Sequence, residues 1–198
     1  SVPYGKNHQT LHRGHSLKKE LKNIAASVHH RLLNKAQEQN RPFNELLQYF
    51  VMERFLYRLS KSQYRDQMLL KGALMFVVWK APRSRATRDI DLLGRFPNKI
   101  DTLTGMIKEI MATAVDPDGL DFDPDSLRAE HIKKDADYKG IRMKFLGYLG
   151  NARVHMQIDF GFGDKIFPMP VEITYPTLLD MPEPKLKGYP PETMVAEK

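Results

Sequence analysis

The stretch Arg85-Ala86-Thr87-Arg88-Asp89-Ile90-Asp91-Leu92-Leu93 decides how this chain is read. Side chains alternate faces along an extended strand, so Asp89 and Asp91 share one face while Ile90 points to the other. Two carboxylates this close repel, and burying their strand costs several kcal/mol unless a cation or basic partners compensate. A divalent cation suits the geometry. The plain alternative is a surface strand whose acids are salt-bridged to Arg85 and Arg88.

Upstream of the pair, Met68-Leu69-Leu70 is an apolar lead-in to Lys71-Gly72-Ala73, and Leu74 to Trp79 continues the apolar run. The pattern predicts a tight turn at Gly72 and a short helix starting there. Glycine lets the backbone approach a ligand, and the N–H groups of a helix start suit phosphate oxygens. Taken alone, Lys-Gly-Ala is more often a structural turn than a phosphate cradle. Its partner changes its meaning: a basic loop (Lys80, Arg83, Arg85, Arg88) leads from it directly to the acidic pair. A phosphate cradle, a helix and then a strand with two metal-facing carboxylates is a phosphoryl-transfer layout.

Downstream, Arg153-Val154-His155-Met156-Gln157-Ile158-Asp159-Phe160 alternates strictly. Val154, Met156 and Ile158 form one face of a strand; His155, Gln157 and Asp159 form the other. Asp159 is therefore the candidate third carboxylate. The runs from Gly140 to Gly150 and from Ser126 to Lys133 also predict strands, which makes a sheet of several neighbours. Asn98 to Val115 predicts an amphipathic helix through Ile100, Leu103, Met106, Ile107 and Ile110. The acidic stretch from Asp116 to Asp125 lacks the ligand spacing and terminal Glu of an EF-hand and predicts an exposed loop.

Two helices precede the site. Leu17, Leu21, Ile24, Val28 and Leu32 recur at helical spacing from an expected N-cap at Ser16, with Glu20 in the first turn. The opposite face carries Lys18, Lys19, Lys22, Arg31 and Lys35, which is either an RNA-facing surface or simply solvated charge. Pro42 opens the second helix, with Phe43, Leu46, Leu47, Phe50, Val51, Phe55 and Leu59 as its buried side. Ahead of both, His8, His12 and His15 fall at i, i+4 and i+7, but Gly5 and Gly14 interrupt the segment and no carboxylate lies within it, which argues against a metal site.

Composition bounds these readings. The chain of 198 residues has no Cys, so disulfides and thiolate metal sites are excluded. No apolar run is long enough for a membrane span and no signal-like segment is visible, so the cytoplasm is the expected location. Lys and Arg total 31 against 24 Asp and Glu, and the net charge of +7 favours a polyanionic partner such as nucleic acid or a nucleoside triphosphate.

The combined pattern resembles a known family, the AbiEii/AbiGii-type nucleotidyltransferase toxins of the DNA polymerase beta-like nucleotidyltransferase superfamily. The resemblance runs from Ala25-Ala26-Ser27-Val28-His29-His30-Arg31-Leu32-Leu33, through Leu70-Lys71-Gly72-Ala73-Leu74 and Thr87-Arg88-Asp89-Ile90-Asp91, to Tyr175-Pro176-Thr177-Leu178-Leu179-Asp180 and Tyr189-Pro190-Pro191-Glu192-Thr193-Met194-Val195-Ala196-Glu197-Lys198. It implies an α+β fold: a polymerase beta-like core with a mixed or antiparallel sheet, flanking helices and an N-terminal helical pair. The expected division is a polar segment over 1–15, helices over 16–66 and the nucleotidyltransferase core over 67–198.

The resemblance also implies roles. Gly72 and Ala73 fall on the family's Gly-Gly or Gly-Ser position that holds the nucleoside triphosphate, with Lys71 beside them and Thr87 and Arg88 just ahead of the acids. Asp89 and Asp91 match the family's Asp-x-Asp and would bind Mg2+ or Mn2+, with Asp159 as the third metal and catalytic carboxylate. Lys198 matches the lysine after Ala-Glu that contacts phosphate. The implied activity is nucleotidyl transfer from a triphosphate to an RNA acceptor such as tRNA, by the toxin of a toxin–antitoxin pair opposed by a cognate antitoxin, with no membrane partner. Two departures stand out. Ala73 replaces Gly or Ser and loses a hydroxyl contact, and the family continues beyond Lys198 with a helix and an Arg-Met-Lys-Asp-Phe-Tyr-Asp-like segment, so the chain is expected to be an N-terminal portion with an open pocket and no activity in this form. A nucleotide- or RNA-binding module without transfer, and a triphosphate-dependent phosphotransferase, are the competing functions.

Overall fold

The computed structural model describes residues 9–81, 86–134, 138–163 and 169–191. Helix α1 (Gln9–Glu38) and helix α2 (Phe43–Lys61) lead into strand β1 (Met68–Lys71). A single 3-10 turn (Gly72–Leu74) and the short helix α3 (Met75–Val78) come after it, then β2 (Ile90–Gly94) and α4 (Ile100–Met111). Three long strands come next, β3 (Leu120–Lys134), β4 (Tyr138–Leu149) and β5 (Ala152–Phe162), and two short ones close the fold, β6 (Val171–Thr174) and β7 (Lys185–Gly188).

The strands make one seven-stranded mixed sheet in the order β3-β4-β5-β2-β1-β7-β6. Strand β2 runs parallel to β5 and antiparallel to β1, so the strand with the acidic pair lies between two neighbours. The antiparallel pairs β3–β4 and β4–β5 join strands consecutive in the chain, whereas the parallel β2–β5 pair needs a long crossover, supplied here by α4, β3 and β4. The outer strand β3 carries a bulge between Asp123 and Arg128, at the point where Pro124 can donate no ladder hydrogen bond. Mixed α/β architecture with helices against a mixed sheet agrees with the expected α+β class.

Period-two alternation decides what each sheet face does. On β5 the residues Val154, Met156 and Ile158 are buried while Arg153 and His155 are exposed, and on β4 Ile141, Met143 and Phe145 are buried while Lys144 is exposed. The apolar face packs under α2, which touches α1, α4, β5 and β7. Helix α2 is buried around nearly its whole circumference from Leu46 to Leu59, including Glu53, Arg54 and Arg58. The sequence predicts a single apolar stripe; burial all round is what a central helix requires. Phe55 anchors this core with edge and tilted ring contacts to Phe122 and Phe145.

Several boundaries differ from expectation. Helix α1 begins at Gln9 rather than at a Ser16 cap and runs through Gly14. Once a helix is nucleated and packed, each further residue adds a hydrogen bond, and one interior glycine costs only about 1 kcal/mol. His8 lies outside the described residues, as do Arg83 and Arg85. The acidic stretch is not a loop throughout: β3 starts at Leu120, and Asp118 is buried against Arg58, with hydrogen bonds of 2.7 and 3.0 Å to its two oxygens. The lead-in at Met68–Lys71 is a ladder strand, and the two short strands β6 and β7 arise where the sequence pattern predicts none. No helix among the described residues is long and apolar enough to cross a membrane.

Candidate functional site

The register of the sheet builds the site. Lys71 on β1 lies opposite Asp91 on β2, Asp91 opposite Asp159 on β5, Asp159 opposite Arg142 on β4, and Arg142 opposite Glu130 on β3. Residues directly opposite across a ladder project to the same face. One row of five charged side chains therefore crosses the polar face of the sheet, with Asp91 and Asp159 side by side at its centre. Asp89 is not part of this ladder: the sequence places both acids on one extended strand, but β2 begins at Ile90 and Asp89 stands in a bend just ahead of it, so strand alternation does not fix its face.

Gly72 meets this row from the end of β1. Its φ of +67° lies in the left-handed region, and a Cβ there would collide with the Asp91 carboxylate. The position thus demands glycine twice, for backbone conformation and for space. The helix after Gly72 is shorter than the sequence predicts: three residues of 3-10 turn, then four of α-helix. With so short a helix there is little macrodipole to attract phosphate; beside it the Lys71 ammonium sits 5.6 Å from the ring centre of Tyr189.

Each carboxylate has an identifiable neighbour. The Thr87 hydroxyl donates to Asp89 Oδ1 at 2.5 Å, fixing that carboxylate from just ahead of β2. Asp159 accepts a two-pronged pair from Arg142, Nε to Oδ1 at 2.8 Å and Nη2 to Oδ2 at 2.7 Å. That hydrogen bond, together with the charges of Asp159, Glu130 and Asp89, raises the guanidinium above its ordinary pKa, so Arg142 stays cationic. The pair is not sealed off, with 32% of the Arg142 and 18% of the Asp159 side chain exposed. Among the described residues no group of three or more His, Cys, Asp or Glu is drawn together tightly enough to hold a metal ion. Asp89, Asp91 and Asp159 stand at adjoining positions, yet Asp159 is directed to Arg142 and Asp89 to Thr87.

Helix α2 secures the segment that delivers the acids. The Tyr49 hydroxyl accepts from the Thr87 N–H at 3.0 Å, and Gln48 Nε2 donates to the Arg88 carbonyl at 3.4 Å and to the His155 carbonyl at 3.3 Å. Beside this junction a cleft of about 1030 Å³ opens between the start of α2 and strands β3 to β5. Thr87, Arg88 and Asp89 line it, together with Arg128 and Gln157. Arg88 is exposed there.

The structure thus brings Lys71, Gly72, Asp91 and Asp159 together through register, and Thr87, Arg88 and Asp89 through the cleft wall. Ala73 comes directly after Gly72 in the same turn. Lys198 lies outside the described residues. Sequence reasoning missed Arg142, Tyr49 and Gln48. Alternation along β4 puts Arg142 on the polar face, but only the β4–β5 register reveals that it meets Asp159.

A family model for the nucleotidyl transferase AbiEii toxin of type IV toxin–antitoxin systems matches residues 54–198, well over half of the chain. No curated protein and no solved structure matches.

Proposed function

The chain belongs to the AbiEii nucleotidyl transferase toxin family, and from that premise we propose that it transfers a nucleotide from a nucleoside triphosphate to an RNA acceptor, such as tRNA, in a reaction that depends on a divalent cation. The observation that carries the reading is the placement of Asp91 directly beside Asp159 on parallel strands, with Gly72 pressed against the Asp91 carboxylate. Membership of a toxin family implies an antitoxin as partner.

The donor chemistry suits Mg2+ or Mn2+, since the carboxylate oxygens of Asp89, Asp91 and Asp159 are hard ligands and the chain has no cysteine to favour softer metals; the three are not gathered into a cluster here, Arg142 engaging Asp159 and Thr87 engaging Asp89. When bound, such an ion supplies charge neutralisation for the triphosphate and a more acidic acceptor hydroxyl. The chain's own groups do the remaining work. Thr87 orients Asp89. The backbone at Gly72 and Ala73 leaves room for phosphate oxygens, while Lys71, Arg88 and Lys198 supply cations for the triphosphate. Asp159 accepts the proton of the acceptor hydroxyl, whose oxygen bonds to the α-phosphorus as the bond to pyrophosphate breaks.

A second reading, a nucleotide-binding module without transfer, is favoured by one observation: the carboxylate assigned as base is engaged by Arg142. Incubation with each labelled nucleoside triphosphate in turn, Mg2+ and total RNA separates the two. Labelled RNA that disappears with Asp89→Ala supports transfer; triphosphate binding without labelled RNA supports the module.

A further inference from the structure

Two acids stand side by side in the charged row, with a cation on either side. Asp91 and Asp159 sit opposite one another, and of the two cations flanking them Arg142 grips Asp159 with both prongs of its guanidinium. A fork of two charge-assisted hydrogen bonds uses both oxygens of the carboxylate, leaving the strongest lone-pair directions of Asp159 already committed. Resting on the metal-dependent reading above, we propose that Arg142 is the built-in counter-ion of this site and competes with the divalent cation for Asp159, so that it sets the cation concentration at which the three carboxylates assemble.

The geometry explains why this competition is winnable by a cation. The Arg142 side chain is about one-third exposed, so its guanidinium can leave Asp159 for water without being stranded in the core. Its other ladder neighbour, Glu130, already holds the Lys144 ammonium at 2.7 Å and offers no second fork that would trap it. The position of Arg142, immediately across the ladder from a carboxylate that itself abuts Asp91, is what gives it a role at the site. Arg142 is in this sense a positioning residue: it acts through Asp159.

Mn2+ binding, counted by electron paramagnetic resonance of the free ion in the absence of nucleotide, tests the proposal without any measure of transfer. Arg142→Gln should bind Mn2+ about tenfold more tightly than the parent, the equivalent of losing one charge-assisted competitor. Arg142→Lys keeps the charge but loses the fork and should fall between the two. Lys144→Gln removes a charge from the same face without touching Asp159 and should stay within about twofold of the parent. In the Arg142→Gln background, Asp159→Asn should cost more Mn2+ affinity than it does alone, because only there is Asp159 released. Thermal melts confirm that each variant is folded. Unchanged affinity in Arg142→Gln, equal tightening in Lys144→Gln, or strict additivity with Asp159→Asn overturns the proposal. Mn2+ binding that vanishes in Asp89→Asn yet ignores position 142 overturns it alone; absence of Mn2+ binding in every variant, with or without a triphosphate, overturns the metal reading beneath it as well.

Discussion

Two sets of acid–base pairs in this molecule look alike in composition and differ in consequence. On the polar sheet face, Asp159 and Arg142 meet in a partly exposed fork beside Asp91 and Asp89. In the core, α2 carries Glu53–Arg54, each side chain 1% exposed, and Arg58–Asp118 with a 2.7 Å contact. The buried pairs tie distant chain segments together: Arg54 donates to the Pro182 carbonyl, Glu53 accepts from the Leu178 N–H, and Arg58 secures Asp118 at the entry to β3. Their partners cannot be exchanged for water or ligand without opening the core. The row on the sheet face is only half-buried, so its side chains are within reach of solvent and ligand, as a binding site needs. Exposure and register, rather than the presence of charge, separate the site from the scaffold.

The sharpest way to break that distinction is to remove one acid from the row. Asp89→Ala should lower RNA labelling by at least about a thousandfold, given the several kcal/mol a bound cation supplies to a developing charge. Because Asp89 is only half-buried and ahead of β2, the melting temperature should hardly move. A large loss of stability in this variant would place Asp89 in the scaffold instead.

The complementary experiment targets the core. Arg58→Ala leaves Asp118 buried without its two-pronged partner, and breaking a buried pair on one side costs about 3–5 kcal/mol. Urea denaturation should show that loss, while triphosphate binding by the folded fraction stays at the parental level. Equal damage to binding and stability would show that the core pair and the site are coupled.

This division between site and scaffold is only half legible in the sequence. Asp91 and Asp159 can be placed because period-two alternation assigns a face without any knowledge of neighbours, and Gly72 because an apolar run breaks there; Asp89 stands in a bend one residue ahead of β2, where alternation no longer holds. Arg142 requires the register between β4 and β5, which alternation does not contain. The buried charges of α2 are hidden for a different reason: Glu53, Arg54 and Arg58 look like the solvated side of an amphipathic helix, and only packing on all sides reverses that. Strands β6 and β7 escape notice because four residues amid prolines at 170, 176, 182, 184 and 190 carry too little periodicity to register. The start of α1 is equally silent, because its first turn holds no acidic residue to mark it.

Proton linkage sharpens the comparison further. Burial raises the Glu53 carboxyl from 4.5 to about 7, overriding the opposing pull of Arg54 and the Leu178 N–H. The folded chain therefore binds a proton that the unfolded chain has released between those two values. The stability this contributes is fully present below about pH 4.5 and is lost as pH rises to about 7, with a slope of at most about 1.4 kcal/mol per pH unit. Urea midpoints measured across that window should fall for the parent relative to Glu53→Gln, which has no proton to lose. A flat difference between the two would mean that Arg54 keeps Glu53 ionised.

The smallest effect is expected where the two regions meet. Lys71 stands at the end of the charged row opposite Asp91, and its ammonium also rests near the face of Tyr189, the residue directly after β7, whose N–H donates to the Leu70 carbonyl. If the lysine serves the site, Lys71→Ala should weaken triphosphate binding by about 1–3 kcal/mol, the worth of one charged hydrogen bond, and leave the melting temperature nearly unchanged. If it serves the scaffold, the cation–π contact is what is lost, and the cost should appear as about 0.5–1 kcal/mol of stability with binding intact. Lys71→Met keeps the aliphatic stem against Tyr189 while removing the charge, so comparing Ala with Met separates packing from electrostatics. Triphosphate affinity that drops equally in both, with stability spared in Met, assigns Lys71 to the charged row.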